Sequence, residues 1–311
     1  MSLQEQIRAN RVRTAFVLIE FVLLIAVFGA AVYFAFNPAI GVVIAVVGLA
    51  YGLFSYFGAG GLVASVAHAR PVTKAEQPDL VRAVENVSIA AGLDHTPPVY
   101  LIDDGAPNAF AAGRKPSDSY VAATSGLVAM MSQRELEAVM AHEISHIRNR
   151  DVRLMTLAAV MVGVIALMAD LLFRVSLFGG GRRDDRDSGG NAIALVIGIA
   201  ALVLAPISAA LLQASLSRRR EYLADSSGAE ITGDPEALAT ALAKLGNDKR
   251  PLKHVTRATA HLYIESPLRD NVGLRSSLGG LFDTHPPLED RIHRLEEAGG
   301  FDIPDPEPLA R

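Results

Sequence analysis

Residues 132–151 read SQRELEAVMAHEISHIRNRD. Ser132 followed three residues later by Glu135 is a reciprocal capping pattern, so the sequence predicts a helix from about Gln133 to about Asn149. On that helix His142 and His146 project from one face a turn apart, at a separation two imidazoles use to hold one metal ion. Glu143 lies beside the first histidine, within reach of a water on that metal without being a ligand itself. The pattern is that of a zinc hydrolase, in which the metal acidifies water and a carboxylate takes the proton. HExxH runs also arise by accident on exposed helix faces. The capping pattern and the apolar side given by Ala138, Val139 and Ile147 separate this one from such accidents.

Two imidazoles alone make a weak zinc site, so a further anionic or imidazole donor is expected downstream, with a fourth position left open. The best-placed candidate is Glu221, in RRREYLADSSGAE at 218–230. Asp225 falls one turn later on the same face, where it can accept a hydrogen bond from the second ring nitrogen of a ligand histidine. On spacing alone, the same residues also read as a solvated charged face in which Arg218, Arg219 and Arg220 offset Glu221 and Asp225.

HEISHIRNRD (142–151), a hydrophobic hairpin, REYLADSSGA (220–229) and THPPLEDRI (284–292) together resemble the M48 family of membrane zinc metallopeptidases. The likeness spans roughly residues 10–297, strongest to the bacterial heat-shock-associated members and more distant to the CAAX-processing endopeptidases. It implies one Zn2+ per chain held by His142, His146 and Glu221, with Glu143 as general base and Asp225 in support. It also implies that His285 stabilises an oxyanion or orients substrate. NAFAAG (108–113) matches the family's substrate-strand region, which implies peptide binding by strand addition near Asn108 and Phe110. The implied activity is that of a zinc metalloendopeptidase of the bacterial inner membrane. It would cleave damaged, unfolded or misassembled membrane proteins under stress, in association with other membrane proteases. Two alternatives are a CAAX-type processing protease acting on lipidated peptides and a non-catalytic membrane scaffold stabilised by structural zinc.

Half of the 311 residues are hydrophobic, which points to membrane insertion. The net charge of −4 offers no basic stripe for a nucleic acid. There is no cysteine, so disulfides, thiolate metal sites and a cysteine nucleophile are excluded.

Arg8, Arg11 and Arg13 precede an apolar run from Thr14 to Phe36, long enough to cross a bilayer, which takes about 20 residues. Asn37-Pro38 turns the chain into a second run from Ala39 to about Ala67. With His68 and Arg70 at its exit and no basic residue in the turn, both ends are expected on the cytoplasmic side. A helix is predicted over about 79–91, and VYLIDD and SYVAATSGLV read as strands around a turn-rich stretch, GAPNAFAAGRKPSD. Leu154–Phe178 and Ala192–Leu216 read as two further spans. Because His146 and Glu221 lie only a few residues from their ends, the metal is expected roughly 10 Å from the cytoplasmic membrane face. Asp234-Pro235 starts another helix, and THPP opens a last one carrying Leu288, Ile292 and Leu295. Arg291 on it is placed to orient His285. His254 and His261 lie in a stretch of little periodicity and read as surface or loop residues.

The fold class expected is therefore mainly α: an integral membrane protein of about four transmembrane helices with a cytoplasmic zincin-like domain containing a small β-sheet. Its parts are an N-terminal hairpin (1–70), a first peptidase segment (71–153), a second hairpin (154–216), a second peptidase segment (217–299) and a disordered tail (300–311).

Overall fold

The computed structural model describes residues 3–35, 38–178, 218–253, 256, 259–265 and 286–303. The anticipated return leg 192–216, His254, His285 and most of the tail lie outside them.

Two helices, α1 (Leu3–Ala35) and α2 (Pro38–Phe57), pack antiparallel. Over Thr14–Phe34 and Pro38–Phe57 both are long and apolar enough to cross a membrane, by length and composition. Their contact is built from small residues: α2 buries Gly41, Gly48, Gly52 and Ser55. At Gly41 a Cβ would lie 2.5 Å from the Tyr33 backbone, so only glycine lets the two backbones approach this closely. The outer faces carry Leu23, Val27, Leu53 and Phe54, each at least 60% exposed, an apolar surface that water would not leave uncovered. The second apolar run is not one helix. It breaks at Gly58, and α3 (Ala59–Val66) continues from there, because glycines at 58, 60 and 61 weaken helix propensity locally.

The sheet that follows has four short strands, β1 (Arg70–Pro71), β2 (Val99–Ile102), β3 (Ala109–Ala112) and β4 (Tyr120–Thr124), in the order β1-β2-β4-β3. β2 and β4 run parallel, and the other two pairings are antiparallel, leaving β3 at an edge. Side chains alternate between two apolar clusters. Phe110, Ala112, Tyr120 and Ala122 face α1, α3 and the start of α7 (Val152–Phe178). Ala109, Ala111, Val121 and Ala123 face α4 (Pro78–Ala90), α6 (Gln133–Arg148), α9 (Pro235–Asn247) and α10 (Leu288–Gly299). Burial on both faces is why these strands lack the polar alternation of a half-exposed sheet.

Three readings of the sequence need correction here. SYVAATSGLV is not a single strand: β4 stops at Thr124, whose side chain accepts the Leu127 amide and caps a short helix, α5 (Ser125–Met130). The turn-rich stretch 105–118 contains the edge strand β3, whose alanines carry no period-2 signal. His261 is no surface residue; it is buried in a 3-10 turn (Ala260–Leu262) with Nε2 3.0 Å from the Met155 carbonyl.

Helix α6 starts where the capping pattern puts it. Ser132 N–H donates to Glu135 Oε2 at 2.7 Å, and the Glu135 amide donates to Ser132 Oγ. Lys244 of α9 adds a 2.7 Å contact to the same carboxylate. Burial, the largest single influence, raises the Glu135 pKa, but Lys244 and Ser132 outweigh it and hold the carboxyl below its ordinary value. A lowered folded pKa stabilises fully above the unfolded value of about 4.3, and that stabilisation is lost as pH falls through the folded value. Glu135→Gln should therefore cost about 1 kcal/mol at pH 7, with the gap to wild type closing in acid; thermal unfolding in detergent at neutral and acid pH measures both.

The C-terminus of α6 closes with a Schellman turn: Arg150 N–H bonds to Ile147 O at 3.1 Å and Asp151 N–H to His146 O at 3.2 Å. Arg150 occupies the left-handed position usually given to glycine, with φ 59°. The reversal brings Asp151 back under His146 and starts α7, whose first amides bond to the Asp151 carbonyl. Helix α8 (Arg218–Thr232) then packs across α6. Gly228 allows this crossing, since a Cβ there would meet the His142 backbone nitrogen at 3.0 Å.

Candidate metal centre

His142, Glu143 and His146 are buried on α6, and Glu221 is buried in the first turn of α8. The two Nε2 atoms lie 3.2 Å apart. His142 Nε2 is 3.7 Å from one oxygen of Glu221, and His146 Nε2 is 3.8 Å from the other. Donors about 2.0–2.2 Å from a shared tetrahedral ion lie about 3.3–3.6 Å from one another, so these three side chains are close to the spacing that holds one metal ion.

The far sides of the rings fix which nitrogen is offered. His142 Nδ1 donates to Asp225 Oδ1 at 2.9 Å, and His146 Nδ1 donates to Asp151 Oδ1 at 3.1 Å. A carboxylate can only accept, so each Nδ1 carries hydrogen and each Nε2 presents its lone pair inward. Two lone pairs and a carboxylate then converge in a buried space, which is unfavourable unless a proton or a metal cation lies between them. The charges around the rings exert the same pull. Burial opposes charge on His146, but Asp151 and Glu221 overcome it and push the imidazole up to about 9. His142 is lowered, burial outweighing its bond to Asp225.

Arg291 of α10 is fully buried and neutralises the outer carboxylate. Its Nη2 and Nε donate to Asp225 at 2.6 and 2.8 Å, and its Nη1 donates to the Ile264 carbonyl at 2.9 Å. It thus locks Asp225 against His142; the His285 it was expected to orient is outside the described residues. Asp151 was not anticipated as a partner of His146. Its only signal was position: the residue closing NRD directly after the helix, where a left-handed turn folds it back.

Glu143 behaves differently from its neighbours. Both of its carboxylate oxygens are buried without a hydrogen-bond partner among the described residues. Burial pushes its carboxyl up to about 8; the Ala111 amide favours the charged form slightly without closing a hydrogen bond. A buried carboxyl lacking a donor is poised to exchange a proton with whatever enters beside it.

On β3, Asn108 O accepts the Thr124 amide, so residues 108, 110 and 112 pair inward, and Ala109 and Ala111 turn their backbone groups to the free edge. Asn108 Oδ1 accepts the Ala109 amide, and Nδ2 donates to the Glu265 carbonyl at 3.0 Å. Ile264 N–H takes the Ala109 carbonyl at 2.9 Å. The Phe110 ring lies in the core between Tyr120 and Tyr263. Both residues therefore hold the strand in place, Asn108 at its end and Phe110 from beneath.

Residues 74–298 match the family model described as Peptidase family M48. The chain belongs to peptidase family M48. Its similarity to M48 proteins is not confined to the matched part. It is 42% identical over 305 residues to a protease HtpX homolog of Lactobacillus helveticus (strain DPC 4571), covering 95% of this chain and 99% of that one. To a protease HtpX homolog of Tropheryma whipplei (strain Twist) it is 41% identical over 293 residues, covering 94% and 97%. The M48 resemblance read from the three motifs is thus shown, and it is HtpX-like over nearly the whole length.

Within this M48 centre the carboxylates behind the rings are expected to tune the metal. Asp151→Asn should weaken metal affinity roughly 10- to 100-fold while leaving the helices intact, because an amide can present the wrong group to Nδ1. Competition with a fluorescent chelator measures the shift.

Proposed function

We propose that the chain is a membrane-bound zinc endopeptidase that cleaves damaged, unfolded or misassembled membrane proteins at the cytoplasmic membrane face. One observation carries the chemistry: three buried donors are spaced for a single ion, with an unpartnered buried carboxyl beside them. Two imidazoles and a carboxylate favour zinc, which when bound supplies a Lewis acid for the scissile carbonyl and lowers the pKa of water. Glu143 takes the proton from the attacking water and passes it to the leaving amine nitrogen. His142, His146 and Glu221 are the ligands, kept in place by Asp151 and by the Asp225–Arg291 pair. The substrate backbone adds to the free edge of β3 at Ala111, an edge fixed by Asn108 and Phe110. His285, by family likeness, donates to the developing oxyanion.

The membrane reading is supported by the two apolar helices, their uncovered outer faces, and the basic residues Arg8, Arg11, Arg13 and Arg70 at the ends of that hairpin. We read α7 and residues 192–216 as two further spans between two segments, 71–153 and 217–299, that make one peptidase unit. That the similar HtpX homologs are named as proteases supports the reaction class.

The test is cleavage by purified full-length protein in detergent. An unfolded membrane protein should be cut, cutting should stop with a chelator, and zinc should restore it. Prenylated and plain peptides run in parallel separate this reading from CAAX-type processing: strong preference for the prenylated peptide would overturn it.

A further inference from the structure

Arg153 stands in the first turn of α7, partly buried against the end of α2. Its guanidinium donates from Nη2 to the Tyr56 hydroxyl and lies 5.7 Å from the centre of that ring. Its Nε–H is buried without an acceptor, and no carboxylate lies within ion-pair distance among the described residues. The other arginine on this aromatic pair is compensated: Arg114, 5.7 Å from the Tyr56 ring and 5.4 Å from the Phe57 ring, is paired to Asp118 at 2.9 Å. Arg153 is therefore a partly desolvated cation held on a ring face with its charge unmatched. The start of a long helix adds further positive potential there.

Burying charge without a counterion is costly, and a tyrosine hydroxyl plus a ring face repay only part of it. Tyr56 Oη accepts from Arg153 and so still has its own hydrogen to give. Arg153 Nη1 makes no hydrogen bond among the described residues and is not sealed from solvent. Two donors are thus offered to one anion. The apolar run of α2 ends at Phe57, whose side chain is 62% exposed, so on the membrane reading above, these donors sit at the depth of lipid headgroups. We propose that Arg153 and Tyr56 form a binding site for the phosphate of an anionic phospholipid, at the end of α2 and the start of α7. The proposal rests on α2 spanning the bilayer; the metal site plays no part in it.

The experiment uses the full chain. An alkaline carbonate wash of membranes first reads whether the chain is embedded; release into the wash would sink the membrane reading and this site with it. Detergent-purified protein is then titrated with dioleoylphosphatidylglycerol, dioleoylphosphatidylcholine or inorganic phosphate, reading bound lipid by native mass spectrometry and the melting temperature. Wild type should bind the phosphatidylglycerol in preference to the other two, with a rise in melting temperature. Arg153→Gln should weaken that binding about tenfold or more, and Tyr56→Phe by a smaller factor. Arg153→Lys, which keeps the charge, should retain most of it. Equal binding by wild type and Arg153→Gln in an embedded chain would overturn the site alone. An equal response to inorganic phosphate would overturn the lipid as its ligand. Equal loss in the Gln and Lys variants, with both melting lower before lipid is added, would assign Arg153 to folding instead.

Discussion

Glu143→Gln should lower turnover of an unfolded membrane substrate by about 10²- to 10⁴-fold, with metal content unchanged. The amide matches the carboxylate in shape, and both Glu143 oxygens are buried and unpartnered, so the substitution breaks no hydrogen bond among the described residues. It removes a buried carboxyl whose desolvation outweighs the pull of His146 and Arg291 on its charge, so the fold should hold or gain slightly. What is lost is the ability to accept a proton. The measurement pairs initial rates with elemental analysis of the same preparation. Full activity in the variant would remove Glu143 from the mechanism, and lost metal would mean that its part is structural.

Glu221→Ala should release about one equivalent of zinc and with it all measurable cleavage. Glu221 carries the negative charge facing the two Nε2 lone pairs, and it arrives from a helix some 75 positions further along the chain. Its removal leaves Arg291 still paired to Asp225 and Asp225 to His142, so the outer shell and the α6–α8 crossing should survive. Circular dichroism of the variant should match wild type while bound zinc falls to a small fraction. Retention of zinc at wild-type affinity would show that the third donor is some other group.

Legibility of this site in the sequence followed from how local each determinant is. Ser132, Glu135, His142, Glu143 and His146 lie on one helix, and a capping pattern with an i,i+4 pair can be read from the letters alone. Glu221 and Asp225 share a helix face, but spacing could not distinguish a ligand and its supporter from a solvated charged surface. What separates the two is burial, and burial comes from contacts with α6 and Arg291 that lie far away in sequence. Asp151 escaped because its role depends on a left-handed residue at Arg150, where glycine would have been the usual sign. Strand β3 was marked only by the family likeness of NAFAAG and not by its own pattern, because Ala109–Ala112 is covered on both faces and uniform in character. His261 was misread because its burial depends on the Met155 carbonyl, which no local pattern announces.

Asp151 has two tasks, and no residue stands between them. Its side chain steadies the His146 imidazole, and its carbonyl receives the first amides of α7. The long apolar helix and the His146 imidazole are therefore geared through a single α-carbon. If α7 tilts or turns about its first residues, it must either swing the ring with it or give up one of those bonds.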